Sequence, residues 1–160
     1  MHDDTNAMAR LLVVTHSRTG GTAQLADAFV RGTTTDGIDG IEVDRRVAEA
    51  ADAAAVRAAA GIAIVTPERF GSMAGLVKDF FERIYYEVLD DTIGRPYVLV
   101  VKGGVDGLGT VEAIAKVAAG LRWRRVLEPV VVVDEPTADQ LQTINDLGAT
   151  FAAGLAERIF

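Results

Sequence analysis

Glycines and residues with hydroxyl side chains are concentrated in the segment 15–22, which reads Thr-His-Ser-Arg-Thr-Gly-Gly-Thr. The segment lies between a short apolar run and a helical pattern. Backbone N–H groups at the start of a helix are free to bind an anion. Adjacent glycines let the backbone curl closely around such a group. The segment therefore predicts a phosphate-binding turn, with contacts from Ser17, Arg18, Thr19, Gly20, Gly21 and Thr22; the alternative is a capped helix that follows a polar loop.

Two further loops of unusual composition follow apolar runs. The second reads TPERFGSMAG over residues 66–75. In it Pro67 fixes the turn that leaves the strand, and Gly71 permits a ligand to approach closely. The third loop, residues 102–109, contains four glycines, which ordinary turn chemistry also explains. Three such loops at the ends of three strands predict one site.

The elements that must position these loops follow from the apolar pattern. Short β-rich runs predict five strands, at residues 11–15, 41–47, 62–65, 97–101 and 130–133. Helical spacing or alanine content predicts a helix after each strand, including one over residues 48–60. Strands that alternate with helices form a parallel sheet covered on both faces. Ligands then bind beyond the carboxyl ends of the strands.

Composition limits the classes of function. The chain has 160 residues, of which 49% are hydrophobic, enough for the core of one domain. It has no cysteine, which excludes disulfides, cysteine-ligated metals and thiol redox chemistry. The formal charge of -7 argues against a nucleic-acid partner. The basic cluster at residues 122–125 is read as the solvated entry to a strand.

The beginning of the chain and its hydropathy give expectations about location. Residues 1–9 are polar and acidic, unlike a signal peptide, and we expect a disordered leader before a single domain over residues 10–160. No apolar run approaches the ~18 residues of a membrane span. The expectation is a cytoplasmic protein that has no membrane partner.

Several common catalytic motifs are absent. The sequence contains neither a GxGxxG fingerprint nor a GxxxxGK[ST] loop, which disfavours a dinucleotide fold or an ATPase. His2 and His16 are the only histidines, and no HExxH motif or carboxylate cluster accompanies them, so no metal site is expected. Ser17 and Ser72 lie outside any GxSxG elbow, so a serine hydrolase has no support.

The first two loops resemble known motifs. The first loop resembles the flavodoxin signature, on which Val13, Val14, Ser17, Gly20, Thr22 and Ala26 fall, whereas Thr15 replaces an aromatic residue and Phe29 an aliphatic one. The second loop, followed by Lys78 and Phe80, resembles the TPxxFGxMxGxxKxF stretch of flavodoxin-like NAD(P)H:quinone and flavin reductases. The chain is therefore similar to the NAD(P)H-dependent FMN/quinone reductase branch of the flavodoxin-like superfamily.

This resemblance implies a flavodoxin-like three-layer α/β sandwich. Its five-stranded parallel sheet has the order 2-1-3-4-5, and FMN binds at the switch point between the first and third strands. Backbone groups of Glu68 to Phe70 would meet the pyrimidine edge of the flavin, with Phe70 as an aromatic face; the alternative is that Phe70 packs on the core. The implied flavin contacts of the later loops are Pro67, Glu68, Arg69, Phe70, Gly71, Lys102, Gly103, Gly104, Asp106 and Gly107.

The expected function is that of an FMN oxidoreductase that takes hydride from NADH or NADPH and reduces a quinone, a flavin or a similar small acceptor. Arg18, Arg69 and Lys102 lie in or beside the loops, where a cation would stabilise negative charge on reduced flavin. The third loop has no aromatic residue, so one flavin face would be open to substrate or covered by another subunit of a homo-oligomer. No side chain is assigned as a catalytic acid or base.

Two alternatives remain at this stage. The acidic net charge suits a flavodoxin-type one-electron carrier that docks on basic redox partners, with the three cations pointing into solvent. The departures at Thr15 and Phe29 also favour an interaction module of the same fold that lacks FMN. The residues retained in the first loop count against it, namely Ser17, Thr19, Gly20 and Thr22.

Overall fold

The computed structural model describes residues 7–160. In this range the strands are β1 (Ala9–Thr15), β2 (Ile41–Val47), β3 (Gly61–Arg69), β4 (Ser72–Met73), β5 (Pro96–Gly103), β6 (Arg124–Arg125) and β7 (Val130–Val133). The helices are α1 (Gly21–Thr33), α2 (Ala53–Ala58), α3 (Gly75–Val88), α4 (Leu108–Gly120) and α5 (Ala138–Ala156), with a 3₁₀ turn at Ala48–Ala50. Each of the five predicted strands coincides with β1, β2, β3, β5 or β7.

The sheet has the predicted order. Neighbouring parallel strands run β2-β1-β3-β5, and both β6 and β7 pair with the outer edge of β5. β6 pairs with the first two residues of β5 and β7 with its last four. These two strands together occupy the fifth position, interrupted at residues 126–129, where Pro129 has no N–H to donate. The flavodoxin-like order 2-1-3-4-5 is confirmed.

Helices cover both faces of the sheet. Leu12 and Val14 of β1 belong to the core beneath α2, α3 and α4, whereas Leu11 and Val13 belong to the core beneath α1 and α5. This division follows from the alternation of side chains along a strand. Helices α1 and α5 pack backbone to backbone, since a Cβ built on Gly148 lies 2.1 Å from the carbonyl oxygen of Phe29. Helix α5 therefore holds α1, and with it the first loop, in place.

The prediction of one continuous helix over residues 48–60 is wrong, because this segment forms two short helices. The chain forms a 3₁₀ turn, becomes extended at Ala51, and restarts as α2 at the N-cap Asp52, whose side chain accepts from the Ala55 N–H at 2.9 Å. Arg83 of α3 donates to the carbonyl oxygens of Ala48 and Ala51, both at 2.8 Å. Those carbonyls are thus bound by a tertiary contact that alanine propensity does not reveal.

Residues 1–6 of the predicted leader lie outside the described residues. Strand β1 begins at Ala9, which the leader prediction had included. The cluster at residues 122–125 leads into the exposed strand β6, as expected. Between residues 7 and 160, no helix is both long enough and apolar enough to cross a membrane.

Candidate functional site

Three loops meet at the carboxyl edge of the sheet. The first loop (residues 16–20) joins β1 to α1, the second loop (residues 70–71) joins β3 to β4, and the third loop (residues 104–107) joins β5 to α4. The start of α1, directly after the first loop, approaches the end of β5, because a Cβ built on Gly21 lies 3.6 Å from Lys102 Cε. The second and third loops are joined through the side chain of Glu68. The topology therefore brings the three sequence segments to one place.

The first loop leaves the start of α1 open. Gly20 is the N-cap with a φ of 92°, a left-handed conformation that favours glycine, and no side chain caps the helix. Ser17 Oγ accepts from the Gly20 N–H at 3.2 Å, which stabilises the turn. The first intrahelical N–H donor is that of Gln24, so the N–H groups of residues 21–23 are available to an anion.

The predicted hydroxyl contacts of this loop differ in accessibility. Thr19 is exposed, whereas only 4% of Thr22, in the first turn of α1, is exposed. Ser17 and Thr19 are therefore the more exposed of the three hydroxyl-bearing residues.

The second loop is the tip of a β-hairpin, which the prediction of a loop over residues 66–75 missed. Arg69 pairs with Ser72, and the two residues between them, Phe70 and Gly71, have φ values of 51° and 73°. Two positive φ angles define the type I′ geometry that suits a two-residue hairpin. Phe70 is fully exposed at 106%, so the alternative in which it packs on the core is wrong. An aromatic residue with positive φ is strained, and such strain is typical of functional loops.

Glu68 of β3 connects the second loop to the third. Its side chain is buried, with 5% of the residue exposed, and its Oε1 accepts from the N–H groups of Gly104 and Val105 at 3.0 and 2.7 Å. Pro67, the preceding residue, is buried in β3 opposite Lys102 of β5. The prediction that Pro67 fixes the turn leaving the strand is therefore wrong, because β3 continues to Arg69. The predicted loop residues Lys102 and Gly103 also belong to a strand.

The third loop is closed by local interactions as well. Asp106 Oδ1 accepts from the Leu108 N–H at 3.0 Å, and Gly107, with a φ of 72°, is the N-cap of α4. A side chain at Gly107 would overlap Val131, because its Cβ would lie 2.5 Å from Val131 Cγ1. The hydrophobic side chains of Val105 and Leu108 remain exposed, at 79% and 63%.

The three predicted cations do not share one place. Lys102 Nζ donates to the carbonyl oxygen of Asp134, and its Cε lies beside the start of α1. Arg18 and Arg69 instead line an open cleft of about 520 Å³ between the first loop and the start of α3. Within the described residues neither arginine forms an ion pair. His16 lines the same cleft.

Sequence reasoning missed some residues of this region. The cleft is also lined by residues 73–76, at the start of α3. Gly109 of α4 lies directly against the second loop, since a Cβ built there falls 2.0 Å from the Gly71 carbonyl oxygen. The Gly-Leu-Gly pattern of residues 107–109 is the signal in the sequence that corresponds to this close approach.

The described residues at this edge fit a ligand that has two different ends. Free N–H groups at the start of α1 fit a phosphate. The exposed apolar side chains of Phe70 in the second loop, Val105 in the third loop and Leu108 at the start of α4 fit a flat, apolar body. FMN carries both groups, a terminal phosphate and an isoalloxazine ring. The fold and the site together define a flavodoxin-like FMN domain.

Comparison with known proteins agrees with this class. The sequence model described as NADPH-dependent FMN reductase matches residues 16–138. The fold is similar to that of a flavodoxin from the domain Archaea (TM-score 0.79, 18% identity, 91% of this chain and 98% of that chain). It is also similar to the flavodoxin, WrbA-like protein from Agrobacterium tumefaciens (TM-score 0.76, 20% identity, 94% and 98%). No curated protein matches the sequence.

A third solved structure shows the same fold as part of a larger chain. Rubredoxin oxygen:oxidoreductase from Desulfovibrio gigas has a TM-score of 0.79 at 14% identity, over 96% of this chain and 38% of that chain. At such identities the structures establish the fold, while the family match covers most of the chain. The chain belongs to the NADPH-dependent FMN reductase family and is an FMN-binding oxidoreductase.

Proposed function

We propose that this protein is an NAD(P)H-dependent reductase that uses FMN to reduce a small acceptor such as a quinone or a flavin. The observation that carries the proposal is the uncapped start of α1 on the same edge of the sheet as three exposed apolar side chains. The family match supports the same assignment. When bound, FMN supplies the hydride-transfer chemistry.

The chain's own residues provide binding and orientation. The N–H groups of residues 21–23 hold the phosphate, with the helix dipole favouring its negative charge. Lys102 lies beside this turn and adds a positive charge on the phosphate side. Phe70 and the third loop bound the space for the ring.

The cleft beside the first and second loops favours a reductase over a carrier. Arg18 and Arg69 place at the cleft two guanidinium groups that form no ion pair within residues 7–160, in a chain whose formal charge is -7. Guanidinium groups bind phosphates through paired hydrogen bonds, so the cleft fits the phosphate groups of a nicotinamide dinucleotide. A one-electron carrier, which the acidic net charge would suit, has no need of such a cleft.

Titration with FMN and with riboflavin tests the phosphate turn. We expect Thr19→Glu to weaken FMN binding by about a hundredfold, because its charge repels the phosphate, and to change riboflavin binding by less than about threefold. Thr150→Glu is the matched control, because Thr150 is an exposed threonine on α5, outside the three loops. Equal loss of both ligands in Thr19→Glu would place the phosphate elsewhere.

Anaerobic single-turnover mixing with NADPH or NADH separates the reductase from the carrier. We expect bleaching of the FMN absorbance together with stoichiometric oxidation of the nicotinamide. A chain that binds FMN but oxidises neither dinucleotide would contradict the reductase and leave the carrier.

A further inference from the structure

Glu68 is a buried carboxylate that the proposed chemistry does not use. Only 5% of the residue is exposed, and within residues 7–160 it forms no ion pair. Burial of a carboxylate is costly unless hydrogen bonds compensate for the lost hydration. The compensation here comes from two backbone N–H groups of the third loop, those of Gly104 and Val105.

Both hydrogen bonds end on one oxygen atom. Oε1 accepts at 3.0 Å from Gly104 and at 2.7 Å from Val105, and no hydrogen bond to Oε2 is seen within the described part of the chain. Hydrogen bonds to an ionised acceptor are about twice as strong as neutral ones. Among residues 7–160, these two N–H groups have no other acceptor at the point where the chain leaves β5.

The position of Glu68 determines what this contact controls. Glu68 is paired with Met73 and lies one residue before the closing pair of the β3–β4 hairpin, so its backbone belongs to the hairpin that carries the second loop. The remainder of the third loop is held independently, by the Asp106 turn and by the packing of Gly107 against Val131. Glu68 is therefore the hydrogen-bonded link between the second loop and the start of the third.

We propose that Glu68 is a positioning residue that sets the separation between the second and third loops and so forms the slot for the flavin ring before the ligand arrives. This inference rests on the proposed FMN site. The geometry that carries it is the double acceptance by one buried oxygen across 36 and 37 positions of the sequence.

Two variants separate the hydrogen bonds from the charge. Glu68→Gln retains an oxygen that can accept both bonds and removes the charge, whereas Glu68→Ala removes the acceptor. Glu135→Gln is the control for net charge, because Glu135 is exposed after β7 on the same edge of the sheet. Amide hydrogen exchange in the FMN-free protein measures the loop directly, and titration with FMN measures its consequence.

The expected result in the FMN-free protein is a rise of about a hundredfold in the exchange rates of the Gly104 and Val105 amides in Glu68→Ala, with the Val100 amide of β5 unchanged. Glu68→Gln raises those two rates by less than about tenfold. FMN affinity falls about tenfold in Glu68→Ala and stays within about threefold in Glu68→Gln and Glu135→Gln.

Each opposite result overturns a different statement. Unchanged exchange at Gly104 and Val105 in Glu68→Ala refutes the link, whether or not FMN binds. Faster exchange with unchanged FMN affinity refutes the role of the link in forming the slot. A wild-type chain that binds no FMN refutes the proposed function, while the exchange rates still report on the link.

Discussion

At the amino edge of the sheet, where the parallel strands begin, backbone and side-chain polar groups form hydrogen bonds with side chains of the same protein. Arg95 donates to the carbonyl oxygens of Val56, at 2.7 Å, and of Ala59, at the end of α2. Burial lowers the pKa of Arg95 from its usual value. The indole of Trp123 donates to Thr92 Oγ1 at 2.8 Å, and that hydroxyl donates to the Val88 carbonyl oxygen at 3.0 Å.

At the carboxyl edge, hydrogen bonds also hold the loops, but the first N–H groups of α1 and several apolar side chains remain exposed to a ligand. Left-handed residues occur in each of the three loops, at Gly20, at Phe70 and Gly71, and at Gly107. No side chain caps the start of α1, and the ring of Phe70 contacts solvent. Both edges end the same strands, so the difference comes from the loops. A closed edge contributes to stability, whereas open groups on a rigid edge mark the place where a ligand completes the structure.

The largest expected effect tests the rigidity of the carboxyl edge. In Gly109→Ala the new Cβ would lie 2.0 Å from the backbone oxygen of Gly71, so α4 or the second loop must move. We expect a loss of about 3 kcal/mol in the free energy of unfolding and an approximately hundredfold loss of FMN affinity. Urea denaturation and FMN titration measure these two quantities.

Gly75→Ala is the matched control for that change. Gly75 begins α3 on the same edge, and a Cβ built there meets no atom within 4 Å. Its substitution is expected to stabilise the protein by about 0.5–1 kcal/mol. If both variants behaved alike, the close contact between α4 and the second loop would be unimportant.

The next effect concerns the amino edge. Arg95→Met removes the donors to two backbone carbonyl oxygens, which should lower the free energy of unfolding by about 2 kcal/mol. FMN affinity should not change, because the loops lie at the opposite ends of the strands. Thermal or urea unfolding checks the first quantity, and Arg124→Met on the exposed strand β6 is the control. A weakened FMN affinity in Arg95→Met would show that the two edges are coupled.

The smallest effect has opposite signs for stability and binding. Phe70→Asn places a residue that tolerates a positive φ in the type I′ turn and should raise the free energy of unfolding by about 1 kcal/mol. Loss of the ring should weaken FMN binding by about fivefold. Phe70→Ala retains the strain, so it should weaken binding without the gain in stability. If Phe70→Asn bound FMN as tightly as wild type, the ring would have no part in the site.

Much of the fold could be predicted from local patterns. Runs such as Leu11–Thr15 and Val130–Val133 are β-rich and apolar, and helical spacing separates them, so the order of strands and helices follows from residues close in sequence. The first loop was also predictable, because glycines and hydroxyl residues between a strand and a helix have a local meaning. The break at Asp52 and the β3–β4 hairpin were not, since they depend on partners from other elements.

The sequence by itself determined the class of fold, the loops at the carboxyl ends of the strands and the family of the chain. Only the tertiary structure decided that Lys102 lies at the start of α1, that Phe70 faces solvent and that Glu68 holds the third loop. The physical reason is the sequence separation over which each kind of interaction acts. Propensity and periodicity act over a few residues, whereas Glu68 meets its partners 36 and 37 positions away, a contact that forms only after the parallel strands β3 and β5 have paired.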